Sequence, residues 1–415
     1  RLDALMAAGE GIEDSGPADD RGLIEEDLQR VAHLARPAAG HAPVLNHAQA
    51  VLVTGATGFI GRYLLRALLA SSVATITCLV RAASADSARA RVLSALREIM
   101  SADDLAAQAH RLICLPGDLA EDGLGLAPET RERLARDIDL IVHNGALPNM
   151  VLPYPMLRKA NTLSVLPLLD LMTRGRAKTM HFVSTLAVVP DERAPVALPS
   201  TAFMPPIALE SGYSLSKWVA ERLLEDARGR GFDIRIHRPG AVIGDSITGY
   251  YPALDATNCF LHLCHDVHAI PEQVEHVLSS LVCVDEAADQ MLAVLEAPAG
   301  DTHLCHVVSR AAISALELRN GFAQAGRMVE IVSALDWAAR VFAMLEQRPD
   351  HPAGWLLPSI QERDPLDFAL APQDGPHAPC AGEAEDFSER LGRSLAWLST
   401  VWDASTQTGT QEPKE

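Results

Sequence analysis

The chain has 415 residues, of which 48% are hydrophobic and 21% are charged, and its formal net charge at pH 7 is −19. This length and composition predict a globular protein with one nucleotide-sized domain and a smaller companion. The acidic balance argues against a nucleic-acid partner, because phosphate backbones are bound by clustered Lys and Arg side chains. No uninterrupted apolar stretch reaches the roughly 18 residues that a membrane-spanning helix needs. We therefore expect a soluble protein with no membrane partner.

The chain begins with Arg1, and its first residues lack the basic-then-apolar order of a secretory signal, which favours a segment of a longer polypeptide. Its seven cysteines include no CxxC pair, which favours reduced thiols and a cytoplasmic location. We interpret residues 1–48 as a linker and an N-terminal docking helix. That helix is predicted over Leu23–Ala35 and ends before Pro37.

From Ala50 onward, short apolar runs alternate with longer helical stretches, a pattern typical of βαβ units and a parallel sheet. The predicted strands are Val51–Thr54, Thr75–Val80, Arg111–Leu115, Ile138–His143, Thr179–Ser184 and Asp233–His237. The predicted helices between them are Phe59–Ala70, Ala85–Met100, Glu129–Asp137, Pro155–Thr173 and Tyr213–Arg228. The pattern predicts an α/β fold, a Rossmann doubly wound parallel sheet with a smaller, mostly helical C-terminal substrate-binding subdomain.

Past Gly240 the alternation fades, and it returns as a helix near Glu286–Glu296 and a strand at His303–Val308. We therefore assign residues 49–245 to the Rossmann domain, with 270–310 returning to it. Residues 246–269 and 311–404 are assigned to the substrate-binding subdomain, which has a Pro-rich interruption around Ala371–Glu385. Residues 405–415 are predicted to form a disordered tail.

A glycine-rich turn follows the first predicted strand and leads into an amphipathic helix. Gly55 permits a tight turn, Gly58 lets backbone N–H groups approach a pyrophosphate, and Gly61 allows close helix packing. In this strand–turn–helix context the glycines favour a dinucleotide site over a merely structural turn. The residues assigned to it here are Thr54, Gly55, Thr57, Gly58, Phe59, Ile60 and Gly61.

The end of the second predicted strand indicates which dinucleotide is bound. An NAD enzyme places a carboxylate there for the ribose 2′-hydroxyl, whereas this chain has Arg81 and no acid before Asp86. NADPH is therefore the expected cofactor, with Arg81 or Arg91 pairing the 2′-phosphate. Arg91 could equally be a solvated helix residue. Asp118, just after the third strand, can accept from the adenine amino group or be a plain turn acid.

Tyr213 and Lys217 lie at i and i+4 at the start of a predicted helix and so share one face. A carbonyl that receives hydride must be protonated or hydrogen-bonded, and a phenol does this near neutrality if a cation lowers its pKa. Lys217 would supply that charge and reach the nicotinamide ribose. Thr185, at the end of the fifth strand, would polarise the substrate oxygen. Each alone is more often structural, but together they predict a catalytic set.

These residues resemble the extended short-chain dehydrogenase/reductases, and more narrowly the thioester reductase domains that terminate nonribosomal peptide synthetases, polyketide synthases and carboxylic acid reductases. The segments that carry the resemblance span nearly the whole chain: 54–61, 78–82, 143–146 with Asn149 and 151–154, Ser184–Thr185, the Tyr213/Lys217 pair, and 238–249. The last separates the chain best from sugar-nucleotide epimerases. Relatives more usually have alanine where Gly145 stands. We also assign Leu119, Asn144, Ala146 and Pro239 to the dinucleotide site.

The resemblance implies a substrate carried as a thioester on the phosphopantetheine arm of an upstream carrier domain. Reduction by NADPH would give a hemithioacetal that collapses to an aldehyde and the carrier thiol, with a second reduction to an alcohol left open. The domain is expected to be monomeric when excised, and the Leu23–Ala35 helix would face the carrier.

Three rival hypotheses remain open at this point. The first is a sugar-nucleotide epimerase or dehydratase with NAD as a recycled cofactor, against which Arg81 argues. The second is a redox-silent relative that releases its product by carbon–carbon condensation, which an intact Tyr213/Lys217 pair disfavours. The third is an NADP-binding sensor or interaction module without turnover.

Two further features receive a structural interpretation. A stretch with Cys259, His262, Cys264, His265 and His268 suggests a metal, but it lacks the second Cys/His pair that structural zinc needs, so core or pocket wall is preferred and no metal site is assigned. Arg174, Arg176 and Lys178 could meet an acidic carrier domain, but a solvated helix end is the preferred interpretation.

Overall fold

The computed structural model describes residues 20–150, 152–188, 211–252, 255–274, 278–298, 303–354 and 387–408. The predicted first part of the linker, the Pro-rich interruption at 371–385 and the end of the predicted tail lie outside these residues. Within them, no helix combines the length and apolar character required to cross a membrane. The six cysteines in these residues are free thiols.

The described strands are β1 Ala50–Thr54, β2 Thr75–Val80, β3 Leu112–Pro116, β4 Leu140–His143, β5 Thr179–Val183, β6 Asp233–Pro239, β7 Ala241–Ile243, β8 Ala269–Pro271, β9 Ser279–Cys283, β10 Leu304–Val307, β11 Arg310–Ala312 and β12 Glu330–Val332. The helices are α1 Arg21–Leu28, α2 Phe59–Ala70, α3 Ala85–Arg97, α4 Ala102–Gln108, α5 Pro128–Asp137, α6 Tyr154–Arg158, α7 Val165–Met172, α8 Gly212–Gly229, α9 Ala256–Asp266, α10 Val284–Glu296, α11 Ala315–Gln324, α12 Ala334–Gln347 and α13 Phe387–Thr408.

Seven strands form one parallel sheet in the order β10-β6-β5-β4-β1-β2-β3. The apolar runs that predicted the strands are its buried centre, since Val51, Leu52 and Val53 of β1 are fully buried. Helices α2, α3 and α10 pack on one face, and α5, α7 and α8 pack on the other. The predicted doubly wound α/β fold is confirmed. The strand order reverses between β1 and β4, which is where such sheets bind ligands.

The second lobe has its own core, built from α9, α11, α12, α13 and the short strands around them. Strand β8 pairs with β12, and β9 pairs with β7 and β11, so two small sheets belong to this mostly helical lobe. The chain was expected to return to the Rossmann domain at residue 270. It returns with α10, whose Val284, Ala287 and Met291 join the core around β1 and α2.

The predicted N-terminal helix is shorter than expected. Helix α1 ends at Leu28, and a 3-10 turn follows at Arg30–His33. Asp27 of α1 is buried and accepts hydrogen bonds from Tyr154 Oη at 2.7 Å and from Arg158 Nε at 2.8 Å. The helix is therefore packed into the Rossmann domain beside α8.

The predicted helix Pro155–Thr173 is interrupted by a π-helical turn at Lys159–Leu163, between α6 and α7. Tail residues 405–408, predicted to be disordered, form the end of α13. The expected solvated helix end at Lys178 is also wrong. Lys178 is buried, and its Nζ donates to the carbonyl oxygens of Ala135, Arg174 and Arg176 at 2.6, 2.8 and 2.7 Å. Arg176 is paired with Asp139 at 2.9 Å.

Candidate active site

The carboxyl ends of the parallel strands gather the predicted site residues at one edge of the sheet. The glycine turn follows β1, Arg81 follows β2, Asp118 and Leu119 follow β3, Asn144 and Ala146 follow β4, Thr185 follows β5, and Pro239 ends β6. Helix α8 brings Tyr213 and Lys217 to the same region, where Lys217 contacts the end of β5. The sheet topology therefore brings together residues that lie far apart in the sequence.

The glycine turn leaves no room for side chains at two of its positions. Gly55 has a φ of +70°, and a Cβ there would lie 2.6 Å from the backbone nitrogen of Gly145. A Cβ on Gly61 would lie 1.9 Å from the Gly55 carbonyl oxygen. Gly58 precedes α2, which begins without a side-chain cap. The first N–H groups of α2 can therefore face a phosphate, which fits the dinucleotide expected here.

Two of the residues assigned to the dinucleotide site have side chains that are used within the protein. Thr54 is fully buried, and the Phe59 ring stacks on Tyr251 with centroids 5.3 Å apart. These two residues can contribute backbone to a nucleotide site, but their side chains hold the turn in place.

A buried hydrogen-bond chain connects β1 to the π-helical turn. The hydroxyl of Thr54 accepts from the Gly145 N–H at 2.9 Å and lies 2.7 Å from His143 Nδ1. His143 Nε2 lies 3.2 Å from the hydroxyl of Ser164, which donates to the Ala160 carbonyl at 2.7 Å. Each hydroxyl has one proton, and the Ser164 hydroxyl uses its proton on the Ala160 carbonyl. Ser164 must therefore accept from His143, which places the ring proton of His143 on Nε2. Burial, with a smaller effect of the Lys217 charge, lowers the pKa of His143 to about 3, so the ring is neutral.

The backbone after β4 lies against the glycine turn. Asn144 Nδ2 donates to the Gly55 carbonyl oxygen at 3.3 Å. A Cβ on Gly145 would lie 2.6 Å from Leu119 Cδ1 and 2.9 Å from Thr54 Oγ1. In this chain the glycine at 145 is therefore matched to Leu119, and alanine would require the leucine to move.

The candidate 2′-phosphate residues are next to each other. Arg81 and Arg91 are both exposed, and an Arg91 guanidinium N–H donates to the Arg81 carbonyl oxygen. Arg91 thus reaches the end of β2 from α3. Asp118 Oδ1 accepts from the Ala120 N–H at 3.0 Å. Its carboxylate therefore stabilises the local turn, which is the alternative role given for it above.

Lys217 is buried against the end of β5. Its Nζ donates to the Val183 carbonyl oxygen at 2.8 Å and lies 4.6 Å from the centroid of the Phe182 ring. Burial lowers the pKa of Lys217 to about 7, although the charge of Glu221 opposes this change. Val183 is two residues before Thr185, whose hydroxyl accepts from the Ala187 N–H at 3.2 Å. Lys217 therefore ties α8 to the strand end that carries Thr185.

The electrostatics of Tyr213 differ from the sequence expectation. Lys217 was expected to lower the pKa of this phenol, but burial raises it to about 12. The cause is desolvation, which disfavours the charged phenolate. Tyr213 consequently keeps its proton at neutral pH, which a proton donor requires.

A buried ion pair behind Lys217 was not predicted from the sequence. Glu221, one turn along α8, accepts from Arg238 Nε at 3.0 Å and from Nη2 at 2.5 Å. The side chains are only 1% and 2% exposed. Arg238 begins the 238–249 segment of the family resemblance, and a charge of each sign in a buried strand and a buried helix is the signal that could have paired the two residues.

The π-helical turn provides a second support that was missed. Asn161 Nδ2 donates to the Leu147 carbonyl oxygen at 3.1 Å and to Ser216 Oγ at 3.0 Å, while Asn161 Oδ1 accepts from the Leu147 N–H at 2.7 Å. Thr162 Oγ1 donates to the Ser216 carbonyl oxygen at 2.7 Å. The turn therefore connects the loop after β4 to α8 next to Lys217, in agreement with the frequent occurrence of π turns at functional sites.

A family model described as "Male sterility protein" matches residues 53–291, more than half of the chain. The chain belongs to this family. The match covers the glycine turn, the Tyr213/Lys217 pair and the strands that place them, so a nicotinamide dinucleotide is established as the class of cofactor.

Several curated relatives are large synthases. Isonitrile lipopeptide synthase of Streptomyces coeruleorubidus is 39% identical over 256 residues, which are 60% of this chain and 17% of that protein. A linear gramicidin synthase polypeptide of Brevibacillus parabrevis is 41% identical over 234 residues, 56% of this chain and 4% of that protein. The chain thus spans a small fraction of the relatives that it matches.

Among solved structures, the terminal R domain from the myxalamid PKS-NRPS biosynthetic pathway is similar along 91% of this chain and 98% of its own, with 28% identity and a TM-score of 0.78. The predicted resemblance to terminal reductase domains and the expectation of an oxidoreductase are confirmed. UDP-glucuronic acid 4-epimerase from Bacillus cereus has a TM-score of 0.53 and 18% identity, covering 85% of this chain and 99% of its own, a likeness of fold alone.

Proposed function

We propose that this chain reduces a thioester carried on the phosphopantetheine arm of an upstream carrier domain, with NADPH as the reductant, and so releases the acyl or peptidyl group as an aldehyde. The observation that carries the proposal is one edge of the sheet that holds both the glycine turn after β1 and the buried Lys217 at the end of β5, in a chain similar to a terminal R domain along nearly its whole length. The first curated relatives are synthases, as this role requires.

NADPH is preferred over NADH in this proposal because the end of β2 offers guanidinium groups to a 2′-phosphate. Arg81 and Arg91 are exposed and adjacent, and a guanidinium can bind a phosphate through two parallel hydrogen bonds. The last residue of β2 is Val80, so the strand end has no acid for a ribose 2′-hydroxyl. We expect Arg81 to contribute more, because Arg91 already donates to a backbone carbonyl.

Tyr213, Thr185 and Lys217 are the proposed catalytic residues. When bound, the dinucleotide supplies the hydride that converts the thioester to a hemithioacetal, which collapses to an aldehyde and the carrier thiol. Tyr213 holds a proton at neutral pH and donates it to the carbonyl oxygen as that oxygen gains negative charge. The Thr185 hydroxyl donates a second hydrogen bond to the same oxygen. Lys217, fixed by its hydrogen bond to Val183, would reach the nicotinamide ribose.

The remaining parts of the proposal concern partners and location. The upstream carrier domain presents the thioester, and the excised domain acts as a monomer in the cytoplasm. Helix α1, which packs beside α8, is the segment through which the carrier would approach. One or two rounds of reduction are both compatible with this chemistry.

The decisive experiment is mass spectrometry of the products formed from NADPH and a panel of pantetheine thioesters, with NADH in a parallel series. An aldehyde or alcohol together with free pantetheine thiol is expected, and the rate should be higher with NADPH. Conversion of a sugar nucleotide with added NAD, and no NADPH oxidation on any thioester, would instead support the epimerase hypothesis. NADPH binding without turnover of any thioester would favour the interaction module.

A further inference from the structure

The second lobe contains a cluster of ionisable side chains that the proposed reaction does not use. His262 and Asp266 lie on one face of α9, and His351 approaches them from the turn that follows α12. One ligand atom from each residue lies within 4.8 Å of the other two. His262 Nε2 is 3.7 Å from Asp266 Oδ1, and His351 Nε2 is 3.3 Å from Asp266 Oδ2.

These separations are close to those of metal ligands. Two ligands that each stand about 2.0–2.1 Å from a tetrahedral zinc ion are about 3.3 Å apart. The two distances run to different carboxylate oxygens, Oδ1 for His262 and Oδ2 for His351. The carboxylate thus lies between the two imidazoles, and one ligand atom of each residue is within 4.8 Å of the others.

His262 lacks the partners that a buried imidazole needs. Its side chain is 2% exposed, and neither Nδ1 nor Nε2 has a hydrogen-bond partner among the described residues. Its ring stacks on the indole of Trp402, with centroids 4.6 Å apart and an interplanar angle of 3°. A buried polar group without a partner is uncommon in folded proteins, and the aromatic stack fixes the ring so that its nitrogens cannot turn to solvent.

Asp266 has two other neighbours. His265 Nδ1 lies 2.7 Å from Oδ1, and an Arg348 guanidinium N–H donates to Oδ2. Each carboxylate oxygen can accept from two directions, so His265 can orient Asp266 while the carboxylate binds an ion. The Arg348 charge opposes a cation, but its side chain is 40% exposed and can move into solvent.

We propose that His262, Asp266 and His351 bind a divalent transition-metal ion of the zinc class through two imidazole nitrogens and one carboxylate oxygen. This donor set is typical of zinc and leaves a coordination position for water. The ion would join α9 to the turn after α12, and through the His262 stack it would support α13. The site is independent of the glycine turn and of Lys217.

Metal binding is tested on the whole chain after dialysis against a chelator. Zn²⁺ is titrated by calorimetry, and Co²⁺ is used as a spectroscopic probe of coordination. We expect about one equivalent of either ion, a Co²⁺ spectrum typical of four or five ligands, and a thermal midpoint that rises with Zn²⁺ concentration. Absence of saturable binding to the unmodified chain would overturn the proposal.

Variants separate the site from adventitious binding. His351→Asn and Asp266→Asn should each weaken Zn²⁺ binding by at least about tenfold. His268→Asn is the matched control, because His268 lies in the same segment but is exposed, and it should bind as the unmodified chain does. Equal affinities in all three variants would contradict the proposal.

Arg348→Gln distinguishes a metal site from an ion-pair cluster. Removal of the guanidinium charge should tighten Zn²⁺ binding several-fold, since like charges repel over this distance. If the cluster serves only as an ion pair, Arg348→Gln would lower the thermal midpoint without changing the affinity for Zn²⁺, and this outcome would also contradict the proposal. His351 lies in a turn, where its Nδ1 accepts from the Ala353 N–H at 3.1 Å. Because asparagine can accept the same hydrogen bond, His351→Asn should fold even if substitutions on α9 do not.

Discussion

Lys217 donates a hydrogen bond from Nζ to the carbonyl oxygen of Val183 at 2.8 Å. This contact joins α8 to the end of β5 and places a buried amine beside the strand that leads to Thr185. The lysine and the strand end are thus held in one geometry by the protein itself. Since preorganised donors lose little energy to reorganisation during reaction, the contact explains how the two elements can act together.

Tyr213→Phe tests the proton donor. The variant should bind NADPH with an unchanged dissociation constant but reduce a pantetheine thioester about 100- to 10,000-fold more slowly, the usual contribution of a positioned acid. Single-turnover rates of NADPH oxidation measure the effect. A variant that retains the rate of the unmodified chain would remove Tyr213 from the catalytic set.

Lys217→Met tests the effect of burial on the lysine. The pKa of Lys217 is about 7 in the folded chain and about 10.4 in an unfolded one. Between these values the unfolded state binds the proton more tightly, so the stability of the unmodified chain should rise with pH. Below pH 7 the lysine is protonated in both the folded and the unfolded state. The cost of burying its charge then lowers the free energy of unfolding most.

The measurement is the free energy of unfolding in urea at pH 6.5 and pH 9. The difference between the unmodified chain and Lys217→Met should favour the unmodified chain more at pH 9 than at pH 6.5. Because other titrating groups are common to both proteins, they cancel in this difference. A difference that does not change with pH would mean that the lysine is not perturbed.

Gly145→Ala tests the packing of the two loops at the nucleotide site. The new Cβ would meet Leu119 and Thr54, so we expect a loss of about 1–3 kcal/mol in the free energy of unfolding and weaker NADPH binding. Addition of Leu119→Ala should restore much of the binding. Gly229→Ala, which meets no atom within 4 Å, is the control and should not weaken binding.

Arg81→Ala and Arg91→Ala test the choice of cofactor. Arg81→Ala should lower kcat/KM for NADPH by at least about tenfold, since a phosphate would lose a charged partner, and leave kcat/KM for NADH nearly unchanged. The effect of Arg91→Ala should be smaller. Arg97→Ala is the control, because Arg97 is an exposed residue of α3, the helix that carries Arg91. Equal losses with both cofactors would place Arg81 outside the 2′-phosphate site.

Glu221→Gln tests the ion pair behind Lys217. It leaves the Arg238 charge buried without its partner, which should cost about 3–5 kcal/mol of stability. Replacement of both residues by methionine should be less harmful than Glu221→Gln alone, because no uncompensated charge remains. Urea unfolding of the three proteins checks this order, and equal loss in the single and double variants would contradict it.

The sequence by itself determined the fold class, the sheet strands and the candidate site residues. The reason is that these features are local: an apolar run predicts a strand, glycine spacing predicts a tight turn, and i, i+4 spacing predicts one helix face. The end of each strand could be read from the chain, and parallel strands place their carboxyl ends at one edge. For this reason the predicted residues from Gly55 to Lys217 lie at a common edge in the structure.

Only the tertiary structure decided the contacts between residues that are far apart in the chain. It paired Glu221 with Arg238, directed the Thr54 hydroxyl to His143, and desolvated the Tyr213 phenol so that its pKa is raised. It also brought His351 to His262, although the sequence near His262 has no second ligand pair at a suitable spacing. Hydrogen bonds and desolvation depend on three-dimensional neighbours, and no local pattern specifies which distant side chain becomes that neighbour.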